Sequence, residues 1–133
     1  MKFDLVKNFD ISTAFKGMLG KGKRVTLLSG DWKKQYAVAA VSINGIKAMA
    51  EVHKNSADVW RVLSGEATFI LGGKLVKPQK VGIGELVSKT ISGGKRIKVA
   101  GGDIINIPPG VPHQIESINK KVKLLIFKVN FSI

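Results

Sequence analysis

Two stretches of the chain concentrate side chains able to do chemistry. One runs Glu51-Val52-His53 and on to Asp58, Trp60 and Val62; the other runs Pro108-Pro109-Gly110-Val111-Pro112-His113. In an extended strand, residues two apart point to the same face, so Glu51 and His53 project side by side. A short excursion through Asn55 and Ser56 brings the chain back, and Asp58, Trp60 and Val62 then share one face of the next strand. Two carboxylates and an imidazole cannot stay unsatisfied in an apolar interior, because an unpaired buried charge is costly even after relaxation. A divalent metal satisfies all three at once. The chain has only 2 histidines, and both lie in these stretches, which favours one shared site. Trp60 shares parity with Asp58 and either floors a pocket or packs the core; Met49 aligns with Glu51 on the pocket wall, and Val62 continues that face. Gln114 points away from the site, and Arg61 faces solvent.

Other chemistries lack their residues. The chain has 0 cysteines, which removes disulfides, thiolate zinc sites, iron–sulfur clusters and thiol nucleophiles together. There is no Gly-x-Ser-x-Gly elbow, and Gly20-Lys21-Gly22-Lys23 is too short to cradle a phosphate.

The elements that must position these residues read as strands. Asn44-Gly45 separates Tyr36–Ile43 from Ile46–Val52 and has the chemistry of a two-residue hairpin turn. Gly72-Gly73 and Gly93-Gly94 separate further apolar runs, and Val122–Phe131 closes the series with Leu125, Phe127, Val129 and Phe131 on one parity. Short strands with glycine turns at regular spacing indicate an all-β sandwich or barrel. One helix is expected over Thr13–Leu19, capped by Asp10 or Ser12, with Phe15, Met18 and Leu19 facing the barrel and Gly20 ending it. Lys21–Arg24 then reads as a loop. The 133 residues suffice for one domain with its own core: an N-terminal helix and arm over 1–34 and a barrel over 35–131.

Charge is the unusual feature, with 22 basic against 9 acidic residues and a formal net charge of +13. A polyanion partner is one reading of such a balance. Against nucleic acid, the basic residues are nineteen lysines and only three arginines, and they are dispersed from Lys2 to Lys128. The densest group is Lys16, Lys21, Lys23 and Arg24. The start of the chain lacks the apolar stretch of a signal peptide, and no apolar run reaches the roughly 18–20 residues of a membrane span. A soluble, cytoplasmic protein with no membrane partner is expected.

The two chemistry-bearing stretches resemble the paired signature motifs of the cupins, small double-stranded β-helix (jelly-roll) barrels. The second motif, G-x5-P-x-G-x2-H-x3-N, is matched by Gly102, Pro108, Gly110 and His113, with Ser117 in place of the final asparagine. The first, G-x5-H-x-H-x(3,4)-E-x6-G, is matched in variant form by Gly45, Glu51, His53, Asp58 and Gly65. The resemblance covers roughly 35–130 and implies a jelly-roll barrel with a short N-terminal helix. Carried over position by position, it implies Glu51, His53, Asp58 and His113 as metal ligands. Glu51 supplies oxygen where the family usually supplies nitrogen, and Asp58 is one methylene shorter than glutamate. Two imidazoles and two carboxylates suit zinc, manganese, iron or nickel. The other reading is a barrel without metal, in which Glu51–His53 and Asp58–His113 are buried hydrogen-bonded pairs. The first makes the protein a metal-binding cupin that acts on or senses a small-molecule ligand or substrate. The second makes it a ligand-binding or structural barrel with a basic, polyanion-binding surface. Similar small cupins pair through N-terminal or edge strands, so a homodimer involving Leu5, Val6 and Phe9 is expected.

Overall fold

Short runs of alternating burial, broken at glycines that adopt positive φ, set the architecture. The structure is a computed structural model and describes residues 3–131; Met1, Lys2, Ser132 and Ile133 lie outside the described residues. One helix, α1 (Asn8–Lys16), precedes the strands β1 (Gly22–Gly30), β2 (Tyr36–Asn44), β3 (Ala50–His53) and β4 (Ser56–Leu71). There follow β5 (Lys74–Leu75), β6 (Gln79–Gly82), β7 (Glu85–Ser88) and β8 (Ile91–Ser92). The last are β9 (Lys95–Ala100), β10 (Ile104–Ile107), β11 (His113–Glu116) and β12 (Lys121–Asn130).

Every strand pairing is antiparallel, and ten strands form one curled sheet in the order β1-β2-β12-β4-β11-β3-β7-β6, with β9 and β10 also paired to β4. The 16-residue β4 joins the two halves of the barrel: its first half lies between β12 and β10, its second between β11 and β9. Leu63 is an extra residue in the pairing with β12, Gly65 just beyond it has φ 79°, and inward parity changes across this stretch, from Asp58, Trp60 and Val62 to Ala67 and Phe69. Phe69, Ile43, Leu124 and Val62 are among the side chains that fill the interior. Among the described residues, no helix is long and apolar enough to cross a membrane.

Three local expectations are corrected. Asn44-Gly45 is no hairpin, because β2 pairs with β1 and β12 while β3 pairs with β7 and β11. Gly45 instead donates its N–H to the carbonyls of Ser117 (3.0 Å) and Lys120 (2.8 Å) as the chain crosses between barrel halves. The helix spans Asn8–Lys16 in place of Thr13–Leu19. The Asp10 carboxylate accepts the Lys7 backbone N–H at 2.9 Å, so Asp10 sits inside the first turn. Phe15 and Met18 are buried against Ala40 and Leu125, but Leu19 is exposed. Finally, Gly22–Arg24 belongs to β1, paired with β2 along its length.

Substitutions at two glycines should separate backbone strain from collision. Gly65 and Gly102 both have positive φ, but only at Gly65 would a Cβ meet a backbone atom, the Lys121 carbonyl of the neighbouring strand. Gly65→Ala is expected to cost more than about 1 kcal/mol in urea denaturation, and more than Gly102→Ala.

Candidate metal centre

The polar side chains of the site arise from residues directly opposite one another across strand pairs. Glu51 on β3 faces His113 on β11, His53 on β3 faces Glu85 on β7, and Asp58 on β4 faces Lys128 on β12. The second motif reaches the first because Gly110 donates its N–H to the His53 carbonyl at 2.8 Å. Four of these side chains converge. The imidazole centroids of His53 and His113 lie 5.0 Å apart. His53 Nε2 is 3.0 Å from Glu51 Oε2 and 3.3 Å from Asp58 Oδ2, and His113 Nε2 is 3.5 Å from the same Asp58 oxygen. One ligand atom each from Glu51, His53 and His113 fall within 4.8 Å of one another, which is a geometry that can hold a metal ion.

Two residues missed from the sequence support this cluster. Glu85 lies 2.7 Å from Nδ1 of His53, leaving Nε2 toward the centre. Lys128, buried on the last strand, reaches Asp58 Oδ1 at 3.2 Å. Neither carries a local signal, since the partners are 32 and 70 residues apart in sequence. The lysine also faces inward beside Val122, Leu124 and Ile126, whereas the aromatic parity of that strand, Phe127 and Val129, is half-exposed.

Electrostatics follow from these neighbours. Burial alone would lower the pKa of His53, but the Asp58 and Glu51 carboxylates outweigh it and raise it to about 10. Burial opposes ionisation of Glu51, but contact with His53 and the Lys23 charge lower its pKa to about 2. Asp58 is likewise held below its ordinary value, by His53 and Lys128 against burial. His113 is lowered, chiefly by burial. Its Nδ1 donates to the Val111 carbonyl at 3.0 Å, which can only accept, so the neutral ring presents an unprotonated Nε2. That Nε2 and Asp58 Oδ2 are both buried without a hydrogen bond. Two lone-pair atoms therefore face each other inside the barrel, an arrangement that a cation relieves. The donor set fits a divalent transition metal.

Beside the cluster is a cavity of about 10 Å³ lined by Lys23, Met49, Glu51, Trp60 and His113, with Gln114 and Ile115 behind. Trp60 is buried, in edge-on contact with Phe69, and its indole N–H has no acceptor. Val62 lies in the core, and Arg61 is exposed. Gln114 is fully buried and donates Nε2 to the carbonyls of Ala48 and Lys89, both at 2.9 Å. The basic group near the N-terminus is divided: Lys23 lies 3.8 Å from Glu51, and Arg24 folds back on the carbonyls of Lys21 and Lys23.

Solved structures share this architecture at low sequence identity. The conserved protein SPY1581 of Streptococcus pyogenes superposes with a TM-score of 0.66 at 16% identity, over 98% of this chain and 93% of that one. A cupin superfamily protein of Desulfitobacterium hafniense DCB-2, DSY2733, gives 0.62 at 13% identity, over 88% and 86%. The chain has the cupin fold. Another cupin-fold match is the DMSP lyase DddQ of Ruegeria pomeroyi DSS-3, with a TM-score of 0.60 at 17% identity over 82% of this chain. This chain spans only 47% of that lyase's length. No protein-family model matches the sequence, and no curated protein matches it.

Two stability predictions follow from the charges. Lys128→Met removes one of the two cationic partners of the buried Asp58 carboxylate, leaving His53, and is expected to cost about 3 kcal/mol in denaturant titration; adding Asp58→Asn should recover most of that. The second concerns pH, with chelator present. His53, raised from 6.5 to about 10, contributes stability that is complete below pH 6.5 and lost as pH rises toward 10. His113, lowered, loses stability as pH falls below 6.5, because the unfolded chain takes up that proton first. The thermal midpoint of the metal-free protein should peak near pH 6.5, and His53→Asn should flatten the alkaline side.

Proposed function

We propose that this cupin is a metal-dependent protein in which Glu51, His53, Asp58 and His113 hold one divalent transition metal and a small molecule is bound or transformed there. The observation that carries the reading is the buried Nε2 of His113, which has no hydrogen-bond partner and lies 3.5 Å from the buried Asp58 Oδ2, beside Glu51 and His53. Glu85 fixes which nitrogen His53 presents, and the Val111 carbonyl does the same for His113. Such second contacts are what keep imidazole ligands oriented. Asp58 is shared with Lys128, so Glu51, His53 and His113 form the less encumbered trio. Zinc, manganese, iron and nickel all suit these donors. When bound, such a metal supplies Lewis-acid or oxygen-activating chemistry. Glu51 and His53 are the partly exposed members, so a small molecule reaches the centre from their side.

Elemental analysis tests the reading. After expression with supplemented metals, about one equivalent per chain is expected, and His113→Ala should lose it while remaining folded. Stoichiometry near zero would overturn it in favour of a barrel held by Glu51–His53 and Asp58–His113 contacts.

Two copies of the chain are proposed to pair about a twofold axis. In support, β1 ends the sheet order, and Val25 and Leu27 are 47% and 43% exposed although their cross-strand partners Val41 and Ala39 are buried. Leu5 and Phe9 are exposed nearby in sequence. Unpaired apolar edges of this kind are normally covered. Light scattering at micromolar concentration should give twice the chain mass; a single-chain mass would reject the pairing.

A further inference from the structure

The cavity beside the metal centre is lined by groups of opposite chemistry. His113 and Glu51 contribute lone pairs, which call for a cation. Trp60 and Lys23 contribute donors, an indole N–H and an ammonium that lies 3.8 Å from Glu51. An indole N–H can only donate, Trp60 is 4% exposed, and no acceptor in the protein meets it. Buried donors without partners are rare enough that each needs an explanation. The volume, about 10 Å³, admits one water-sized group. Met49, 48% exposed, and Lys23 also line it, and a cavity of this volume seats the end of a small anion but not a ring.

The geometry points to this cavity as the seat of a small anion, its donor atom toward the metal centre and its charge held by the Trp60 N–H and Lys23. The inference rests on the metal reading and adds the ligand class to it: a small monovalent anion, or the anionic end of a larger molecule, of which about one non-hydrogen atom is seated in the cavity, as the volume allows. Lys23 holds Glu51 at 3.8 Å and lies close enough to the mouth to serve both groups. The surplus of basic residues, +13 overall, favours the approach of any anion. The competing account is a trapped water joining the Trp60 N–H to Gln114 Oε1, which borders the same cavity and also lacks a partner.

The test uses full-length protein stripped with chelator and reloaded with cobalt(II), whose visible absorption reports metal and anion separately. Azide is the probe, and benzoate is the size control. Azide should shift the cobalt bands and benzoate should not. Trp60→Phe and Lys23→Gln should each retain cobalt but weaken azide about tenfold, the Lys23→Gln deficit shrinking as salt is raised. Lys23→Gln lies on a partly exposed strand position, so it remains informative if Trp60→Phe misfolds. Cobalt bands that azide leaves unchanged, or equal azide affinity in both variants and the parent, would overturn this inference and leave the metal reading standing. Equal response to benzoate would overturn it too, by removing the size limit. Failure to bind cobalt at all would remove both.

Discussion

A carboxylate that is 1% exposed inside a small β-barrel dictates much of the rest of this structure. Asp58 has no water to solvate it, so its charge must be met by neighbours, and they come from three different strands. Lys128 meets one oxygen; His53 and His113 stand around the other. Moving β12 by one residue along β4 would turn Lys128 to the outer face and leave Asp58 Oδ1 without its partner. The pairing of these strands is thus fixed by charge as well as by the apolar contacts of Leu124 and Ile126. Glu85 and Lys23 extend the alternation of charges outward, so that the polar cluster is satisfied from its buried floor to its solvent rim, apart from the atoms that face each other at its centre.

The remainder of the interior is filled to suit. Trp60 and Phe69 meet edge-on inside the barrel, with centroids 6.1 Å apart. The result is an apolar core beside a polar centre, with a cavity of only about 10 Å³ between Trp60 and the cluster. The same packing that stabilises the barrel therefore restricts what can approach its polar centre, and the restriction is built from core residues that no surface loop can easily relax.

Much of the fold was legible in the sequence because its signals are local or have fixed spacing. Glycine turns mark the strand ends, and the Gly102 to His113 spacing spans β10 and the turn that leads into His113. Glu51, His53, Asp58 and His113 could be named from strand parity and motif spacing, and the structure does bring them together. What was not legible depended on pairing between distant strands. Asn44-Gly45 has hairpin chemistry, but its flanking strands find partners elsewhere. Lys128 reads as one more surface lysine until Asp58 is seen opposite it. Glu85 is an ordinary acidic residue until β7 lies beside β3. The helix boundary failed for a different reason: Asp10 is a good cap by type, yet its carboxylate turns back to Lys7 and becomes part of the first turn.

The position of β12 has a consequence for how the molecule is made. This last strand lies between β2 and β4, two strands that do not pair with each other, and it carries the lysine that neutralises Asp58. During synthesis, then, the first hundred or so residues emerge with β2 and the first half of β4 lacking the neighbour that joins them. Until residues 121–130 leave the ribosome, β2 and the first half of β4 have only their partners β1 and β10, the Asp58 carboxylate lacks Lys128, and the nascent chain is exposed to aggregation. The dense coat of lysines, mutually repelling along the unfolded chain, offers protection during that interval. Completion of the barrel therefore waits on β12, which brings the lysine of the polar centre and the apolar contacts of Leu124 and Ile126 together.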